Sequence, residues 1–167
     1  MERDVQKYLD EVLTCMREAQ VAFPLEAVVN IYHHMGRQEI YKTGAMFMNV
    51  VNRDYCKSYV VMLAGQHYPE HYHKIKKESF YILSGNLMVQ VEDQITCMQP
   101  GQILHVDEGQ VHSFWTETGV VFEELSTMYV TNDSVYMDES IRNSTYEDRR
   151  TTIDNAQWKE IRKGWIK

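Results

Sequence analysis

Val5, Leu9, Val12, Met16 and Ala19, with Tyr8 and Leu13 beside them, recur at helical spacing with charged residues between them. This stripe predicts an amphipathic helix from about Asp4 to Gln20, with one face packed on an apolar surface. Pro24 suits the first turn of a second helix over "PLEAVVNIYHHM", and Gly36 suits its C-terminal end. His33 and His34 would then fall in the last turn. Adjacent helical residues diverge by about 100°, so a favourable interaction with the helix C-terminus is a simpler role for them than a shared metal.

After Thr43 the pattern changes. Short runs rich in Val, Tyr, Phe, Met and Ile ("MFMNVV", "YVVML", "SFYIL", "NLMVQV", "QITCM", "QILHV", "VHSFW", "VVFEELSTMYV") alternate with turn signals at Gly65, Ser84-Gly85, Glu92-Asp93, Pro100-Gly101, Glu108-Gly109 and Gly119. Many short strands at this spacing predict an all-β sandwich or barrel. No long helix interrupts them, which argues against a parallel βαβ sheet. Beyond Tyr129 the chain turns polar and ends in "AQWKEIRKGWIK", where Trp158, Ile161 and Trp165 share one helical face. The expected organisation is an N-terminal helical segment over residues 1–43, a β-barrel over 44–131, and an arm with a short helix over 132–167.

Composition narrows the class. At 167 residues the chain is most naturally one domain with a substantial core. Its formal net charge of −7 argues against a nucleic-acid surface, which needs clustered Lys and Arg. Cys15, Cys56 and Cys97 form neither a CxxC pair nor a disulfide framework, so a reducing compartment is expected. The charged N-terminus and the lack of any run of 18 apolar residues point to a cytoplasmic protein with no membrane partner.

The candidate chemistry lies in "GQHYPEHYHKIKKESFYILSG", Gly65 to Gly85. On a strand His71 and His73 face the same way while Tyr72 points away, so their imidazoles can converge. Glu78 shares parity with Phe80 and Ile82, an otherwise apolar face where a carboxylate needs a compensating positive charge. A distant strand offers His112, between Val111 and Phe114. Three imidazoles and one carboxylate suit one divalent Mn, Zn, Co, Ni or Fe ion and fit Ca or Mg poorly. Taken singly, each histidine also reads as an ordinary polar strand residue. His67, in the turn ahead of Pro69, and His105, on a preceding strand, are not expected to be ligands; a supporting role for His105 stays open.

The spacing Gly65-x5-His71-x-His73-x4-Glu78-x6-Gly85 resembles the first cupin motif at every fixed position. Pro100-Gly101 followed by Gly109-x-x-His112 resembles the second, with Asp107 and Thr116 where proline and asparagine are common. The resemblance covers roughly Phe47 to Thr131. It implies a small antiparallel β-barrel of jelly-roll type carrying two N-terminal helices and a short C-terminal one, with His71, His73, Glu78 and His112 as metal ligands. It also implies a homodimer. "NRDYCKSYVVMLAGQHYPEHYH" and "VVFEELSTMYVTNDSVYMD" are similar to the D-lyxose ketol-isomerase group of cupins and to the cupin domain appended to some synthases of nine-carbon sugar acids.

That narrower resemblance implies a small sugar-like ligand and an aldose–ketose isomerisation through an enediol, with a glutamate and a lysine moving protons. Glu124 falls at the glutamate position and shares parity with Phe122 and Ser126, although Glu123 and Glu124 also read as solvated strand charges. The lysine position, two residues past Cys56, holds Ser58, and Lys57 points to the other face. A non-catalytic sugar-binding accessory module and a non-haem iron dioxygenase are the alternatives, because one fold hosts many functions.

Overall fold

The computed structural model describes residues 3–130 and 132–165; Thr131, the expected end of the barrel segment, lies outside them. The chain opens with α1 (Arg3–Glu18), followed by β1 (Val28–Tyr32) and a 3₁₀ turn at Arg37–Glu39 that runs into the four-residue α2 (Ile40–Thr43). Nine strands come next: β2 (Ala45–Asn52), β3 (Tyr55–Met62), β4 (His67–His73), β5 (Glu78–Gly85), β6 (Leu87–Val91), β7 (Gln94–Met98), β8 (Ile103–Val106), β9 (His112–Trp115) and β10 (Val120–Thr127). The C-terminal part adds β11 (Ser134–Tyr136), α3 (Glu139–Asn143), β12 (Arg150–Ile153) and α4 (Asn155–Lys163). Among the described residues, no helix is long and apolar enough to cross a membrane.

Two antiparallel sheets face each other. The larger runs β12-β1-β2-β3-β10-β5-β8 and the smaller β11-β4-β9-β6-β7. Among the described residues no strand pairs from one sheet to the other, so the β-layers form a two-sheet jelly-roll sandwich and not the closed barrel expected from the sequence. The physical reason is that each sheet ends in edge strands, β12 and β8 on one and β11 and β7 on the other, without a register that joins them.

The larger sheet is covered on both faces, which explains its continuous apolar runs. Phe47, Val60, Met62, Phe80, Ile82 and Phe122 point inward and share a core with Leu87, Val89 and Phe114 of the smaller sheet. The alternate residues Val29, Ile31, Met46, Met48, Val61 and Val121 point outward and meet Val5, Tyr8, Leu9, Val12, Leu13 and Met16 of α1. The predicted stripe on α1 is thus its buried face, and each of its large apolar side chains contributes roughly 1.5–3 kcal/mol of transfer free energy. The C-terminal helix begins with a capping box between Asp154 and Gln157. It docks on its own domain through buried Trp158, whose Nε1 donates to the Pro24 carbonyl at 3.0 Å.

The helix expected over residues 24–35 does not form. Val28–Tyr32 is β1, paired from Val28↔Asn49 to Tyr32↔Ala45 on one side and from Val29↔Ile153 to Tyr32↔Arg150 on the other. Its residues, V-V-N-I-Y, are β-branched or aromatic apart from Asn30, and two neighbouring strands satisfy their backbone groups. The second N-terminal helical segment lies later and is shorter, at residues 37–43. His33 and His34 therefore sit in a loop. His34 is buried, its Nδ1 2.6 Å from the Thr43 carbonyl and its Nε2 3.1 Å from the Tyr136 hydroxyl.

At Gly85 the turn leaves no room for a side chain. The φ is +78°, and a Cβ would stand 2.1 Å from the Gly119 carbonyl oxygen. The turn between β5 and β6 therefore needs glycine for its backbone angle and for the close approach of a second chain segment.

Candidate metal centre

Strand alternation delivers the predicted pair. His71 and His73 both point inward from β4, and β9 pairs with β4 so that His112 stands directly opposite His71. Their ring centroids are 4.2 Å apart. Glu78 comes from the first position of β5, on the facing sheet. All four residues are buried, and one ligand atom from each lies within 4.8 Å of the others. The smaller sheet thus presents three imidazoles to a carboxylate on the larger one.

The donor atoms are already oriented. The His71 Nδ1 is 2.9 Å from the Pro69 carbonyl and the His112 Nδ1 is 3.0 Å from the Gln110 carbonyl. A carbonyl only accepts, so each Nδ1 carries the proton and each Nε2 presents its lone pair to the centre. The Nε2 atoms of His73 and His112 are buried without a hydrogen-bond partner. They lie 3.1 and 3.2 Å from the Glu78 oxygens. Lone pairs on nitrogen and carboxylate oxygen facing one another repel, and a cation between them removes that conflict, so the donor set fits a metal ion.

Burial and the neighbouring histidines hold the His71 pKa well below the usual imidazole value, and burial lowers that of His73 against the pull of Glu78. Both rings are therefore neutral and competent as ligands near pH 7. Burial alone would raise the Glu78 carboxyl; Lys76, His73 and His112 outweigh it and keep it ionised.

Glu124 also points inward from β10, as its parity with Phe122 predicts, and is buried. It does not face an empty position. The Lys76 ammonium lies 3.3 Å from its Oε1 and also bonds Glu78. The Lys76 side chain is 14% exposed. Burial works to lower its pKa, but Glu124 and Glu78 hold it above the ordinary lysine value. Glu124 moves the other way: burial and the charge of Glu78 raise it to about 7 against the pull of Lys76.

Lys57 points away from this centre, as its parity predicts, and pairs with Glu123 at 2.7 Å on the outer face. Ser58 faces inward and donates to Asn49 at 2.8 Å. A lysine does line the cavity, but from the loop between β4 and β5: Lys76. Strand parity could not have found it, because Lys76 lies between β4 and β5 and belongs to neither.

Asp133 was not foreseen. Its carboxylate accepts the backbone N–H of Ile75 at 3.0 Å and of Lys76 at 3.1 Å, and its Oδ2 lies 3.5 Å from the His73 Nδ1. One side chain thus fixes the lysine loop and faces the far side of a candidate ligand. Tyr136, also unforeseen, stacks on His71 at 5.4 Å. His105 is exposed and bonds Ser79, while exposed His67 stacks on Trp115; neither reaches the centre.

His71, His73, Lys76, Glu78 and Glu124 line one cavity of about 330 Å³ between the sheets. Asn30, Asn49, Ser58 and Thr152 add polar groups from the inner face of the larger sheet, and Tyr32, Tyr68 and Tyr136 add aromatic walls. A concave site with a few convergent polar groups and shifted pKa values suits a small polar ligand.

Two facing antiparallel sheets with a buried three-histidine, one-carboxylate cluster define a double-stranded β-helix protein with a candidate metal centre. Residues 58–127, which contain all four cluster residues and Glu124, match the family model described as "Cupin domain". No sequence among the curated proteins matches the chain. Among solved structures, L-ribose isomerase from Cellulomonas parahominis without ligand is similar at a TM-score of 0.70 and 12% identity, over 92% of this chain and 97% of that one. The same enzyme with L-psicose is similar at a TM-score of 0.67 and 12% identity, over 85% and 94%. An uncharacterised conserved protein with a double-stranded β-helix domain from Klebsiella pneumoniae is similar at 0.50 and 17% identity, over 57% and 85%. At these identities the likeness is one of fold, and with the Cellulomonas enzyme it extends well beyond the sandwich.

Proposed function

We propose that this chain is a metal-dependent aldose–ketose isomerase acting on a small sugar. The observation that carries the reading is the Lys76–Glu124 pair, which lines one cavity with His71, His73 and Glu78 of the four-residue cluster that His112 completes. The likeness to L-ribose isomerase supports the fold context and carries no chemistry by itself. His71, His73, Glu78 and His112 would hold one divalent Mn, Zn, Co, Ni or Fe ion, which when bound polarises the sugar carbonyl and hydroxyl.

The remaining chemistry belongs to the protein. Glu124 takes the proton from C2 of the aldose while the hydroxyl proton of O2 passes to O1, giving the 1,2-enediolate. The same carboxyl then returns its proton to C1 as the O2 charge collapses to a carbonyl, giving the ketose. A carboxyl raised to about 7 is suited to both halves, because it accepts and releases a proton near neutral pH. Lys76 stays protonated between two carboxylates and offers its ammonium to whichever sugar oxygen carries charge. Buried aromatic walls exclude water from the enediol.

The test is incubation of metal-loaded protein with a panel of aldopentoses and aldohexoses in D₂O, followed by NMR. The expected result is aldose–ketose interconversion with deuterium entering at ketose C1, abolished by Glu124→Gln. Full metal occupancy with neither interconversion nor C2 exchange on any sugar overturns the proposal, as does undiminished turnover in Glu124→Gln.

A further inference from the structure

Two arginines enter the same cavity at the start of the strand that begins the larger sheet. Arg149, in the turn just before β12, and Arg150, its first residue, both line it and both are half-buried. Arg149 stacks on the Tyr136 ring at 5.0 Å and on Tyr146 at 5.9 Å, and its Nε donates to the Thr145 carbonyl at 3.3 Å. Arg150 lies over the Tyr146 ring at 3.4 Å and donates to the Tyr146 hydroxyl. Among the described residues neither guanidinium forms an ion pair with a carboxylate, although the chain carries 24 Asp and Glu against 17 Lys and Arg. By contrast Lys76, in the same cavity, is paired twice. In an acidic protein, two adjacent guanidinium groups left without carboxylates in one polar cavity are not a by-product of a basic surface.

Their position relative to the candidate metal centre sets the scale. Tyr136 contacts both the His71 ring, at 5.4 Å, and the Arg149 guanidinium, at 5.0 Å, so the guanidinium stands within two ring spacings of a candidate ligand. A five- or six-carbon chain bridges such a gap. Its carbonyl end would lie at the metal cluster and its far end at the arginines. Stacking on tyrosine restrains the planar guanidinium groups, which lowers the entropy lost when they bind a planar or tetrahedral oxyanion.

We infer that the cavity is built for a sugar bearing an acid group at the end remote from its carbonyl, a carboxylate or a phosphate held by Arg149 and Arg150. The inference rests on the reading of the cavity as a sugar site but not on turnover. A charge-assisted bond is worth about 1.5–3 kcal/mol, so the acid form is held at least about tenfold more tightly than the neutral sugar.

The experiment is calorimetric titration of the full-length, metal-loaded chain with paired aldoses, each neutral sugar beside its terminal phosphate and its uronate. Wild type and Arg149→Gln/Arg150→Gln are compared. Expected is a preference of at least about tenfold for one acid form on wild type, lost in the double variant while the affinity for the neutral sugar is kept. Preference for the phosphate or for the uronate identifies which acid is meant. Equal affinity for neutral and acid forms overturns the inference and leaves the isomerase reading standing. An arginine-dependent preference without interconversion supports the inference while the isomerase reading fails. Binding of none of the sugars overturns both. The wild-type comparison decides alone if the double variant does not fold.

Discussion

The Lys76 Nζ lies 3.3 Å from the Glu124 Oε1, although 48 residues separate the two in the chain, and the same ammonium bonds Glu78. One cation thus couples a candidate metal ligand to the candidate proton carrier. Lys76→Met removes it and leaves two buried carboxylates facing each other. Uncompensated buried charge costs about 3–5 kcal/mol, so the metal-free variant should melt well below wild type. Turnover in the metal-loaded variant should fall by about 10²–10³ through loss of the charge that stabilises the sugar oxygen. Thermal melts and initial rates on one preparation check both. An unchanged melting temperature would mean the ammonium does not hold the pair.

His112→Ala addresses the cluster itself. Its Nε2 is buried without a hydrogen-bond partner, and the ring's hydrogen bond, from Nδ1 to the Gln110 carbonyl, is local to β9 and the turn before it. The variant should keep its fold and lose most of its metal. Elemental analysis by mass spectrometry should find about one equivalent in wild type and far less in the variant. Full occupancy in the variant would remove His112 from the ligand set.

Asp133 holds the lysine loop by two backbone N–H groups and faces the His73 Nδ1. Asp133→Ala frees the loop and leaves His73 less well oriented. Loss of such an outer partner typically costs 10–100-fold in metal affinity or activity, about the range expected here. Asp133→Asn keeps an acceptor for the loop N–H groups and should recover part of the loss. Metal titration followed by calorimetry separates the two variants.

His34 contributes a pH dependence of known sign. Burial, helped by Arg149 and His33 and opposed by the Thr43 carbonyl, lowers its pKa from 6.5 to about 3. Between those values the unfolded chain binds a proton that the folded one does not. Stability from neutral His34 is therefore complete above pH 6.5 and is lost progressively as pH falls toward 3, by a few kcal/mol on the order of the shift. His34→Gln should flatten the wild-type slope over that range in urea unfolding series at several pH values. Parallel slopes in the two proteins would show that the ring is protonated in the fold.

How far the sequence spoke differs from element to element. Residues 4–20 announced a helix because their apolar period has no competing interpretation over four turns. Residues 28–32 did not announce a strand, because a short, mostly apolar run suits either state and Pro24 with Gly36 framed it as a helix. β2 and β12 decide the matter by pairing with it, and β12 lies more than a hundred residues downstream. Closure of the barrel was likewise beyond the strand pattern, since alternation sets which face is buried and says nothing about which edges meet.

At the candidate site, strand parity by itself determined that His71 and His73 face one way and that Glu124 and Lys57 face opposite ways. Parity is a local property of the extended backbone, so the sequence carries it without help. That Glu78 meets three histidines across two sheets, that Lys76 turns inward from a loop to Glu124, and that Asp133 pins this loop are decided by the tertiary structure alone. Those contacts join residues from separate elements, and their energy comes from a shared buried space that no single segment encloses.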